Sequence, residues 1–198
     1  MNEQEIHDKY VDLFEQLKLM INKAHARIIC SEPDPLFEEN VNFFVKSFLI
    51  SICVYLESYL KEIVFNRIDV VNQKLIGISV PHNLIKWSIS HPKDISDRDL
   101  KFESLKITIK KKDLDEHISA SPYRTEVLFK KIGIDLTAVD EFLSKRDVIN
   151  AIVVKRNKIV HHNDNANDIS MADLILYISS FVEYMELITE FVKIENSK

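Results

Sequence analysis

Phe43-Phe44-Val45-Lys46-Ser47-Phe48-Leu49-Ile50-Ser51-Ile52-Cys53-Val54-Tyr55-Leu56-Glu57-Ser58-Tyr59-Leu60-Lys61-Glu62-Ile63 is apolar on almost every side of a helix, with charge only at Lys46, Glu57, Lys61 and Glu62. A helix that is hydrophobic all round is covered on several faces, which is the position of a central helix in a bundle. Its longest uncharged run, Ser47 to Leu56, is about half the roughly 20 residues that a membrane span needs. The expectation is therefore a core helix without membrane association.

Upstream, Ile6, Tyr10, Leu13, Leu17, Ile21, Ala24 and Ile28 recur at threes and fours and define the apolar face of a first helix. Pro33 and Pro35 end it, because proline lacks the backbone donor and biases its predecessor away from the α region. The second helix is expected from near Leu36 to about Val71. Gly and Pro confirm the helical reading by their scarcity: 2 Gly and 5 Pro in 198 residues are about 3.5%, against roughly 12% in average usage. Hairpin-rich β folds and glycine-loop nucleotide folds need more of both.

Five of those seven residues, Gly77, Pro81, Pro92, Pro122 and Gly133, fall in one region. Residues of about 72–137 thus read as an insertion of short helices and loops within a single domain spanning 1–198. Ile85 and Trp87 are candidate anchors for its first piece, and Phe102, Leu105, Ile107 and Ile109 alternate closely enough to allow a short strand. Lys106 and Lys110-Lys111-Lys112 form its densest positive run, either a solvated surface or a contact for phosphate backbone.

A further helix is expected from about Thr137, continuous with or followed by another from Asp147 to about His161. A polar loop at 162–168 follows, and Ser170 with Asp173 makes a capping box for a last helix from about Met171 to Ile194. The net charge of −5 gives no global attraction for nucleic acid, so such binding needs a local basic patch. Cys30 and Cys53 are too few for a disulfide framework and are expected as buried, reduced thiols of a cytoplasmic protein. The opening residues Met1-Asn2-Glu3-Gln4-Glu5 lack the basic and apolar regions of a signal peptide.

The string Lys155-Arg156-Asn157-Lys158-Ile159-Val160-His161-His162 places an arginine and a histidine five positions apart near the end of a helix. Arginine offers a permanently charged planar fork for phosphate oxygens, and imidazole exchanges protons near neutral pH. Together they supply the minimum for metal-free RNA cleavage, namely a proton-transfer group and a stabiliser of phosphate charge. The same two residues also suit a helix carboxyl end, where cations offset the dipole. At about 100° per residue, Asn157 and His161 share a face while Arg156 and His161 lie about 140° apart. Asn157 could thus orient the imidazole. The arginine must then curl round the helix, or the helix must end near Val160, or a second chain must complete the site.

Arg156-Asn157-Lys158-Ile159-Val160-His161 resembles the Arg-Asn-x-x-x-His motif of the HEPN superfamily, and Tyr55-Leu56-Glu57-Ser58-Tyr59-Leu60-Lys61-Glu62 resembles that superfamily's earlier helix, in particular its RiboL-PSP type. The likeness covers the first two helices and about 137–194, and names no counterpart for the insertion. It implies an all-α antiparallel bundle, homodimers that bring two motifs to one cleft, and metal-independent endoribonuclease activity in toxin or phage-defence systems. It makes Arg156 and His161 catalytic and Asn157 supporting. RNA is the implied substrate, Lys155, Lys158 and Lys110 to Lys112 are weaker candidates to gather it, and a cognate antitoxin or neighbouring-gene protein is a further partner. The alternative is a non-catalytic module that binds RNA, a nucleotide or a partner protein.

His162 is a second supporting candidate, with a cap or solvent position as its plain reading. Glu57, costly in an apolar stretch unless paired, is expected to meet Arg156 or Lys61 or to line the cleft. His82, His91 and His117 share no ligand spacing, so neither metal nor cofactor is expected. His7 and His25 are expected in solvent.

Overall fold

The computed structural model describes residues 1–76, 107, 109–162 and 165–197. Six α-helices are found among them: α1 (Glu3–Ile29), α2 (Pro35–Glu38), α3 (Val41–Leu75), α4 (Pro122–Lys131), α5 (Asp140–His162) and α6 (Met171–Ser197). Helices α1, α3 and α6 pack against one another, α5 lies against α3 and α6, and α4 buttresses α5. Asn66 Nδ2 donates to Met1 O, and Lys193 Nζ to Gln4 Oε1, which makes α1 antiparallel to both α3 and α6. Arg67 Nη1 reaches Asn196 Oδ1, so α3 and α6 run the same way.

The three- and four-residue spacing of α1 places Ile6, Tyr10, Phe14, Leu17, Ile21 and Ala24 inward, while Leu13 is only partly covered. Asn2 and Glu5 close a capping box at its start. Helix α3 is long and apolar enough by composition to cross a membrane. Here α1 and α6 take up its apolar surface, and ten residues from Val45 to Ile68 are buried. Each large side chain removed from water contributes about 1.5–3 kcal/mol relative to exposure. Tyr59, fully buried at the centre, satisfies its hydroxyl on Met185 O and Thr189 Oγ1, both at 2.8 Å.

Several expectations are corrected. The second helix does not begin near Leu36: Asp34 caps the separate short helix α2, Asn40 breaks the path with φ −117°, and α3 starts at Val41 and extends past Val71 to Leu75. Of the two alternatives for the stretch from Thr137, the continuous helix is the one found, but it starts at Asp140 after a 3-10 turn at Leu136–Ala138. The last helix continues beyond Ile194 to Ser197. Cys53 is buried, but Cys30 is exposed at the carboxyl end of α1, where its thiol donates to Glu32 O. His7 is not solvated, since only 13% of its side chain is exposed and its Nε2 is buried without a partner among the described residues. His25 is half-buried.

The region of about 72–137 contributes to the core where it is described. Leu114, Ala120, Leu128, Phe129, Ile134 and Leu136 are buried there. Its described start is fastened to α3, because Asn72 exchanges two hydrogen bonds with the backbone of Ile107, at 3.1 and 2.8 Å. Ile107 and Ile109 are not in a strand. Ile85, Trp87, His82, His91, Phe102, Leu105 and Lys106 lie outside the described residues, as do Asn163 and Asp164 in the loop before α6.

Candidate active site

Helix α5 runs without interruption through Arg156 to His162, so it does not end near Val160. Its buried stripe comprises Phe142, Ile149, Ile152, Val153 and Ile159. At about 100° per residue Arg156 lies within about 60° of each of these, at the middle of the stripe. The guanidinium therefore points into the bundle, with 18% of the side chain exposed. An arginine can occupy such a position by packing its stem and pairing its head.

Two groups meet that head. Asn157 Oδ1 accepts from Arg156 Nη1 at 3.1 Å, and Glu57 Oε1 on α3 lies 3.9 Å from Nη2. The same Glu57 oxygen accepts from the backbone N–H of Ala120 at 3.1 Å. Arg156 Nε is buried and has no partner among the described residues. Beside them on α3, burial pushes the Cys53 thiol up to about 12, with Arg156 opposing and Glu57 reinforcing the shift. The arginine fork is thus fixed from three elements, α3, α5 and the segment leading into α4.

His161 lies about 140° round α5 from Arg156 and is exposed, sharing the outer face with exposed Val154 and Lys158. Nothing among the described residues bonds its ring. Asn157 is on the His161 side of the helix, but its carbonyl is spent on Arg156 rather than on the imidazole. The structure thus brings Arg156, Asn157 and Glu57 together and leaves His161 apart from them within one chain. His162 is the last helical residue.

The lysines are distributed differently from a single RNA-gathering patch. Lys155 bonds Asp168 Oδ1 at 2.6 Å, holding the Asp168 carboxyl below its ordinary range and tying α5 to the turn before α6. Lys158 is exposed. Lys110 to Lys112 lie at the start of the 3-10 turn Lys111–Leu114, exposed, with Lys111 Nζ 3.8 Å from Glu62. Lys61, one of the partners considered for Glu57, pairs with Asp115. Among the described residues no group of three His, Cys, Asp or Glu side chains is placed to hold a metal ion.

An all-helical bundle with an inward arginine and an outward histidine five residues later on its penultimate helix defines the class. Residues 8–193 match the RiboL-PSP-HEPN family, and the chain belongs to it. The matched stretch includes 72–137, the region for which resemblance alone named no counterpart. No curated protein and no solved structure matches the chain. Membership in a HEPN family supports a role as a ribonuclease or a nucleotide-binding module.

Two contributors were missed in the sequence. The Ala120 backbone donor is invisible to residue-type reasoning, since any residue there carries an N–H. The inward direction of Arg156 was marked by its spacing from Ile149, Ile152 and Ile159, a cation set inside an apolar stripe.

Proposed function

We propose that this protein is a metal-independent endoribonuclease that acts as a homodimer, cleaving RNA to 2′,3′-cyclic phosphate ends. The observation that carries the reading is the motif's own geometry: a fixed arginine and an unengaged histidine on opposite sides of one unbroken helix. His161 serves as general acid or base at the 2′-hydroxyl or the leaving oxygen. Arg156 stabilises charge on the phosphorane-like transition state. Asn157 and Glu57 orient the fork. Because the two reactive groups diverge within a chain, a second copy completes the site. The cellular role is that of a cytoplasmic toxin or phage-defence effector, restrained by an antitoxin or a neighbouring-gene protein.

The test is cleavage of total RNA in the presence of a chelator by wild type and by H161A, with end-group analysis of the products. Cleavage by wild type alone supports the reading, and equal absence of cleavage rejects it. A second reading, a non-catalytic module binding RNA, nucleotide or partner protein through the same face, is favoured by the engagement of Arg156 inside the bundle. Growth arrest on expression that is relieved by H161A separates the two.

A further inference from the structure

Many of the described cations pair with carboxylates, while Arg67 and Lys74 donate to carbonyl and amide oxygens at the end of α6. Arg27 pairs with Asp34, Arg146 with Glu126 and Asp147, Lys145 with Glu183, Lys155 with Asp168 and Lys193 with Glu190. Arg124 differs. Its one acceptor among the described residues is a backbone carbonyl: Nη2 donates to Glu116 O at 2.7 Å. That bond orients the guanidinium and leaves its charge without a carboxylate partner. Lys131 follows seven residues later on the same face of α4 and pairs with no carboxylate among the described residues.

These two side chains and His117, from the loop ahead of α4, line a hollow whose floor is Val127 and Leu128 and whose lining includes no carboxylate. In a chain of net charge −5, Arg124 and Lys131 thus form a local basic patch with no carboxylate in its lining, the feature that binding of a phosphate backbone needs. The row from Arg124 to Lys131 extends about 10 Å along the helix, longer than a single phosphate group. Val127, 60% exposed between them, offers apolar surface for a sugar or base. The loop bearing His117 continues within three residues to Ala120, whose N–H holds Glu57.

We propose that this hollow on α4 is a phosphate-backbone site for the RNA strand, separate from the Arg156 and His161 motif. The proposal deepens the nuclease reading and rests on it for the identity of the ligand. Arg124 and Lys131 contact successive phosphates, and Val127 lies against the intervening sugar. The lysines of the 3-10 turn are not required.

The experiment is fluorescence anisotropy of a labelled single-stranded RNA of about 15 nucleotides, titrated with full-length H161A protein so that the RNA stays intact. Salt is varied from about 50 to about 200 mM, where phosphate contacts are read as a slope. The double variant R124A/K131A in that background is expected to bind about tenfold more weakly, with a salt slope lower by about 1.4, or about 0.7 per lost contact on a single strand. R124K recovers part of the loss. Unchanged affinity and slope in R124A/K131A overturn the site, as does an H161A protein that binds no RNA. Inorganic phosphate or a nucleoside monophosphate, added as competitor at millimolar concentration, is expected to displace little RNA. Complete displacement assigns the hollow to a small anion and overturns the strand assignment. Failure of wild type to cleave RNA, with Arg124-dependent binding retained, rejects the nuclease reading and leaves the site standing.

Discussion

Glu57 Oε1 accepts from the Ala120 N–H at 3.1 Å and forms an ion pair with Arg156 Nη2 at 3.9 Å, two partners on different segments. One carboxylate on α3 therefore fixes both the catalytic candidate on α5 and the segment that enters α4. The two functions of that oxygen are separable by substitution. Glu57→Gln keeps an acceptor for Ala120 and removes the charge, and a largely covered pair this loosely spaced, at 3.9 Å, is worth about 1 kcal/mol. Glu57→Ala removes both and is expected to cost about 1–2 kcal/mol. Urea unfolding midpoints of the two variants check the difference, and RNA cleavage is expected to fall in both.

Arg156 and His161 are expected to respond oppositely in stability and alike in activity. Arg156→Ala empties the middle of the α5 inner stripe and strands Glu57, at a cost of about 1–3 kcal/mol. His161→Ala changes an exposed side chain and stays within about 0.5 kcal/mol of wild type. On the proposed reading both are expected to abolish cleavage. Thermal unfolding alongside a cleavage assay reads the contrast, and a destabilised H161A contradicts it.

Alkali is expected to unfold the protein from an unusually low pH. The Cys53 thiol is pushed up to about 12 by burial, whereas in the unfolded chain a thiol titrates near 8.5. Its contribution is complete below about pH 8.5 and is lost as pH rises towards 12, at a limiting slope of about 1.4 kcal/mol per pH unit. Tyr59 and Tyr184, also raised by burial, add to the loss above about pH 10. Urea midpoints at pH 8, 9 and 10 should fall progressively, and C53A should flatten the part below pH 10.

The start of α6 rests on a reciprocal pair: Ser170 Oγ accepts from Asp173 N at 3.1 Å, and Asp173 Oδ2 accepts from Ser170 N at 2.8 Å. Ser170→Ala is expected to lower stability by about 1 kcal/mol. Because the cap sits beside the turn that Lys155 ties to α5, hydrogen exchange in the first turn of α6 should rise with it. An unchanged exchange rate there contradicts the assignment.

Helix periodicity made α1 and α6 legible from residue spacing alone, and the Ser170–Asp173 box was readable because it depends only on local sequence. The division between α2 and α3 was not, since it hangs on the backbone angle of Asn40 inside an otherwise helical pattern. The composition of 72–137 read as an insertion of short helices and loops, and the full burial of Phe129 and Leu136 was not legible in it, because scattered apolar residues join a core whenever the chain returns to it. The motif was legible as a string. Counting degrees separated Arg156 from His161 but left open which of them faces the core, and the choice of Arg156 over Lys61 as Glu57's neighbour required knowing that Asp115 takes Lys61. The meeting of His117, Arg124 and Lys131 likewise depends on how the loop returns beside α4.

The divergence of Arg156 and His161 on one helix separates what keeps the chain intact from what the proposed nuclease reading makes reactive. Folding selects for the arginine, through Glu57 and the apolar stripe around it, and is indifferent to the histidine. On the proposed nuclease reading, loss of the histidine disarms the protein silently, yielding an inert copy that still folds and can compete with the active form. Loss of the arginine offers no such intermediate, because the inactive product is also a weakened one.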